Sequence, residues 1–248
     1  MNTMNRRARR VWWAAITHNF SFSAMALLAT VLLLAACGGG GAKAPDSATL
    51  LKSAQTKFDA TNTFHFIMSV ANLGPVPAGG YNITAANGDV QRPDKLSAKA
   101  TASVGFASAN VSLIIIGAKE WITDPITQQY QPTTDFASFL AIFDPSQGIG
   151  SLLGQLQNPS KPSSGSSNGA SCWKISGTVP PDKLTPIFGA ITATAPVPTV
   201  VCIDKTSNEL DSVTLNGAIT SGDTAQTTRT FYLSNFDKPV SIQPPAGS

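Results

Sequence analysis

The sequence predicts an α+β fold whose sheet is an antiparallel meander. Three observations support this. Apolar and polar residues alternate over residues 64–70 and again over 95–106, the period of a strand with one dry and one wet face. Residues 111–116 are almost wholly apolar, as in a strand covered on both faces. Helical spacing is confined to a few stretches, after Asp46, after Asp135 and after Pro181.

The chain opens on Arg6, Arg7, Arg9 and Arg10, followed by an apolar run over residues 24–36. That run is too short to span a bilayer, which takes about 20 residues. Paired arginines suggest twin-arginine export, but the residues behind them follow that motif poorly. Leu34-Ala35-Ala36-Cys37 resembles a bacterial lipobox, with small residues before the cysteine and a basic segment upstream. Cleavage there makes Cys37 the first residue, its thiol carrying a diacylglycerol. An ordinary leader that happens to contain a cysteine is the other reading. Each buried methylene adds about 0.8 kcal/mol, so two or three acyl chains, a palmitate among them, hold a protein on a bilayer where one does not. The expected location is the cell membrane, lipid-anchored on its extracytoplasmic face.

Removing the leader changes the charge. The full chain has 17 Lys and Arg against 14 Asp and Glu, a net +3. Without the four leader arginines, 13 basic residues face 14 acidic ones, near −1. The basicity belongs to the leader, and nothing supports a nucleic-acid partner. The expected organisation is a cleaved leader at 1–36, a flexible Gly-rich tether at 37–45 and a single domain at 46–248. With Cys37 lipidated, Cys172 and Cys202 remain in an oxidising compartment, each in a β-like run. A disulfide is expected, closing a loop of about 30 residues and stabilising by roughly 3–4 kcal/mol on the chain-entropy account. Two free buried thiols are the alternative.

Asp46 can cap a helix that sets Leu50, Leu51, Ala54 and Phe58 on one face and fades at Thr61-Asn62. Strands follow, with turns expected at Asn87-Gly88, Pro93-Asp94 and Asn110. Residues 135–143 read as a helix with Phe136, Leu140 and Phe143 on one face. Asp144-Pro145 reads as the start of a second, bearing Ile149, Leu152, Leu153 and Leu156. Residues 158–170, rich in Ser, Gly, Pro and Asn, read as an exposed loop. Strands resume at Cys172, a short crossover helix is expected at 181–190, and strands at 200–204, 210–219 and 227–235 complete the sheet.

Phe143-Asp144-Pro145-Ser146-Gln147-Gly148-Ile149 with Leu152-Leu153 resembles the helical segment of the LppX/LprA/LprF/LprG lipoprotein family. Ile175-Ser176-Gly177-Thr178-Val179, Pro196-Val197-Pro198-Thr199-Val200 and the closing run from Leu233 to Val240 are similar to its later strands and tail. The resemblance implies a strongly curved antiparallel half-barrel of the LolA/LolB plan, with helices on its concave face. It also implies an apolar cavity for acyl chains, and carriage of acylated lipid or lipoglycan toward the cell surface, with a lipid exporter as a possible partner. The Cys172–Cys202 pair departs from what it implies for most members.

Catalytic chemistry finds little support. Gly165-Ser166-Ser167-Asn168-Gly169 matches a nucleophile elbow in letters only, with no strand before it and no helix after it. His65, mid-strand, reads as a solvated strand histidine. Ligands for zinc are too few, and Gly148-x-Gly150 fails the dinucleotide pattern. Glu120 and Asp124 have no placed partner. No enzyme, cofactor or metal site is expected. The apolar side chains assigned to the cavity wall are Phe64, Phe66, Met68, Leu113, Ile115, Trp121, Phe136, Leu140, Phe143, Leu152, Leu156, Phe188, Val213, Leu215, Phe231 and Leu233. Ala98, Ala100 and Ala102 would leave room rather than fill it. The competing expectation is a surface lipoprotein that binds an envelope protein without carrying lipid, and a carrier of other lipoproteins is a third.

Overall fold

The computed structural model describes residues 44–75, 82–104 and 107–247. The expected leader, Cys37, most of the expected tether and Phe106 lie outside the described residues. Asp46 caps α1 (Ser47–Ala60), its carboxylate accepting the Thr49 amide at 3.0 Å. Leu50, Leu51, Ala54 and Phe58 are buried, as their spacing requires. Six strands follow: β1 (Thr63–Ala71), β2 (Asn82–Gln91), β3 (Lys95–Val104), β4 (Ala107–Ile116), β5 (Lys119–Thr123) and β6 (Tyr130–Thr133). Two short helices, α2 (Ala137–Ala141) and α3 (Leu152–Gln155), lead into β7 (Ser163–Ser167) and β8 (Ala170–Val179). A crossover containing α4 (Thr185–Phe188) precedes β9 (Val197–Asp204), β10 (Leu210–Asn216) and β11 (Thr228–Ser234).

All eleven strands form one open antiparallel sheet, ordered β6-β5-β4-β3-β2-β1-β11-β10-β9-β8-β7. The first and last strands pair at its centre, with Phe66 opposite Leu233 and Met68 opposite Phe231. Inward residues of both halves join the helices in one apolar core. At the far edge the β7–β8 hairpin folds back over the outer face: Ser167 Oγ donates to Ser212 Oγ at 2.9 Å. Two strands lie between them, which would part them by about 14 Å in a flat sheet. Cys172 and Cys202 sit on that same outer face, joined as a disulfide between β8 and β9.

Several expectations are corrected. Asn87-Gly88 is no turn but lies within β2, where a Cβ on Gly88 would stand 2.1 Å from the Ser97 carbonyl oxygen of β3. Asn110 lies within β4, its side chain accepting from Thr101 at 2.9 Å. Residues 158–170 contain strand β7, an edge whose Ser and Gly residues show no apolar period because little of it is buried. The helix expected over 135–143 is only α2. Asp144-Pro145 starts a turn: the Asp144 carboxylate accepts the Ser146 and Gln147 amides at 2.8 and 3.0 Å. The Ile149 amide then closes the loop on Ile142 O at 2.8 Å, and helix resumes only beyond it.

Arg92 ties these parts together. Its guanidinium donates to Phe58 O and Thr61 O at the end of α1, and to Phe143 O at 2.9 and 3.2 Å. It also lies over the Phe58 and Phe64 rings, 4.5 and 5.2 Å from their centroids. Burial lowers its pKa, against the opposing pull of Asp59, Asp144 and Asp237. Lysine carries its three donors on one nitrogen and lacks the planar fork by which Arg92 reaches carbonyls on two sides. Arg92→Lys is expected to lower Tm by roughly 5–10 °C in thermal denaturation; an unchanged Tm would show that the clamp contributes nothing.

Asp211 lies at the bulge between Leu210 and Ser212, with Oδ2 buried and unpartnered. Burial, then Asp204 and Glu209, push its pKa up to about 6. The folded chain therefore holds this proton more tightly than the unfolded one. The resulting stability is present below the ordinary carboxylate range and is lost as pH rises through about 6. Asp211→Asn should raise Tm at pH 7.5 by about 2 °C, the half-exposed site being partly screened, and leave it nearly unaltered near pH 4. An equal effect at both pH values rules this account out.

Candidate functional site

Two adjoining hollows lie on the core side of the sheet. The larger, about 350 Å³, is bounded by Met68 and Val70 of β1, Ile83 of β2, Arg229 of β11, Phe139 and Ile142 of the α2 region, and Ile187 and Phe188 of α4. The smaller, about 190 Å³, shares Ile83 and Phe139 with it, and among the described residues no polar side chain lines it. Its floor is Ala86 of β2, Ala98, Ala100 and Ala102 of β3, and Ala109, Val111 and Leu113 of β4. Strand pairing stacks these residues: Ala100 faces Ala86 on one side and Val111 on the other, and Ala102 faces Ala109. Alternation points the β3 alanines inward, and each stops at a methyl where Leu or Phe would reach the helices. Phe136 and Phe139 form the roof, their rings 6.1 Å apart. Glu120 fixes that roof, its carboxylate accepting the Phe136 amide at 2.8 Å.

The sixteen expected wall residues divide into groups. Met68 and Phe188 line the larger hollow, and Leu113 and Phe136 the smaller. Leu140 and Phe143 line a third depression of about 280 Å³ beside Arg92. Phe64, Phe66, Ile115, Leu152, Leu156, Val213, Leu215, Phe231 and Leu233 pack in the continuous core. The Phe66–Phe143 and Phe64–Phe143 rings meet at 4.6 and 5.5 Å. Trp121 faces the other way: it pairs with Ile114 across β4–β5 and packs with Ile242 of the tail on the outer face. Its neighbour Ile122 points at the smaller hollow instead.

Ile83, Ala86, Ala109, Phe139 and Arg229 were not anticipated. Arg229 was readable, since Phe231 and Leu233 face inward and a period of two carries Arg229 with them. It forms a two-pronged ion pair with Asp223, whose side chain is fully buried. Burial alone would raise the Asp223 pKa. Hydrogen bonds from Arg229 and from the Thr220 and Ile219 amides outweigh it and hold the carboxyl below its usual range. The groups with catalytic potential lie elsewhere. His65 Nδ1 pairs with Asp89 at 2.8 Å across β1–β2, and Ser167 of the G-x-S-x-G run is engaged with Ser212.

Residues 46–242 match the LppX_LprAFG lipoprotein family. The lipoarabinomannan carrier protein LprG of Mycobacterium leprae is 26% identical over 238 residues, covering 92% of this chain and 96% of that one. LprG of Mycolicibacterium smegmatis is 25% identical over 209 residues, covering 82% and 84%. The crystal structure of LprF from Mycobacterium bovis aligns with a TM-score of 0.64 at 20% identity, over 83% of this chain and all of that one. Mycobacterium tuberculosis LppX aligns with a TM-score of 0.56 at 16% identity, over 79% and 98%. These two structures establish the shared fold, and the family match spans nearly the whole described domain. The chain belongs to the LppX_LprAFG lipoprotein family.

Proposed function

We propose that this protein carries acylated lipid or lipoglycan, holding acyl chains in the paired hollows and moving them from the membrane toward the cell surface. Cys37 supplies the anchor on the extracytoplasmic face, and a membrane exporter supplies or receives the cargo. The observation that carries the reading is the alanine floor: an entirely apolar hollow beside a larger one, together of the size that small-molecule sites occupy. Moving an acyl chain from bilayer to such a hollow exchanges one apolar surrounding for another, so no catalyst is required. The carrier names of the LprG relatives agree with it.

Ala100→Phe tests the assignment. Where a void exists, the added ring occupies it, so the overpacking penalty of about 1–3 kcal/mol is largely avoided. Lipid extracted from protein purified out of its own membranes should fall at least about fivefold, with the melting transition retained. Undiminished lipid in a folded Ala100→Phe protein places the acyl chains elsewhere, and wild-type protein that yields no lipid at all removes carriage itself.

A further inference from the structure

Among the described residues Arg229 is the one charged side chain on the wall of the larger hollow, and none lines the smaller. Its side chain is 10% exposed and that of Asp223 is fully buried. A guanidinium has five N–H donors. Nη1 gives one to Asp223 Oδ2, and Nη2 gives one to Asp223 Oδ1 and one to Thr220 Oγ1. The Phe188 ring covers the guanidinium 5.5 Å from its centroid. The Nε hydrogen and the second Nη1 hydrogen have no partner among the described residues. Asp211 Oδ2 is the one sealed side-chain polar atom without a partner among those residues. Nε, without a partner, is therefore not sealed, and the space beside Arg229 is the hollow.

The charge of this pair decides what suits it. Arg229 and Asp223 sum to zero, so an incoming phosphate would give up its hydration and meet no net positive charge. An ester carbonyl or a hydroxyl needs only a donor. We propose that Arg229 is a polar subsite for uncharged acceptors, the ester carbonyls of glycerol-linked acyl chains. The hollow accordingly prefers neutral acylglycerols to anionic phospholipids bearing the same chains. This rests on the lipid-carriage reading and names the class of headgroup that enters.

The test offers the full processed protein, in detergent, an equal mixture of diacylglycerol and phosphatidic acid with identical acyl chains, and reads bound lipid by native mass spectrometry. Wild-type protein should favour diacylglycerol by about tenfold, with little dependence on salt. Asp223→Asn leaves the guanidinium uncompensated and should shift the ratio about tenfold toward phosphatidic acid, in a salt-sensitive manner. Wild-type preference for phosphatidic acid, or equal uptake of the two, overturns the subsite whether or not the variant folds. A folded Asp223→Asn protein with an unaltered ratio overturns it too. Uptake of neither lipid overturns carriage itself, and the subsite with it.

Discussion

Ala98, Ala100 and Ala102 end at Cβ, and above them stand Phe136, Phe139 and a helix of only five residues. Native interiors are packed almost without voids, so short side chains facing a short helix must either draw the layers together or leave space between them. Drawing together is opposed here. Glu120 holds the Phe136 amide, Arg92 holds the Phe143 carbonyl, and the 142–149 loop is closed on itself through Ile149. The roof is suspended from the sheet at fixed points, and the floor cannot rise to it.

The rest of the domain is built differently. On the other side of the central β1–β11 pair, Ile175, Val201, Ile203, Val213 and Leu215 join the side chains of α1 and α3 in one core, each less than 1% exposed. Phe58, Phe64, Phe66 and Phe143 stack into an aromatic block beneath Arg92. Solid packing in one half gives the frame against which the hollow half keeps its volume. The disulfide between β8 and β9 and the Ser167–Ser212 contact reinforce the solid half. Among the described residues the one charged group on the hollow's wall, Arg229, arrives already neutralised by Asp223, which agrees with the proposed acyl cargo.

Strand periodicity made much of the sheet legible, because each inward residue of β1, β3 and β4 announces its face every second position. Helix lengths were less legible. Asp144 was read as a helix start, yet the same carboxylate caps a turn just as well, and only the Ile142–Ile149 closure decides between them. Strand β7 was illegible because a little-buried edge needs no apolar pattern. The wall was read from the large side chains, most of which turned out to fill the core. The hollow follows the small ones: Ala98, Ala100 and Ala102 read as leaving room, but what closes that room stands opposite them on other segments, Phe136 and Phe139, which their own stretch of sequence does not record. Trp121 shows the same limit: its size suggested the wall, while its register with Ile114 puts it on the outer face.

The central claim is that the alanine floor encloses volume that belongs to an acyl chain. A crystal structure of the protein purified from its own membrane, without delipidation, tests this most directly. Expected is elongated density running from the Ala98–Ala102 row past Phe139 toward Arg229. A hollow filled instead by the protein's own side chains, with α2 collapsed onto β3, would contradict the account.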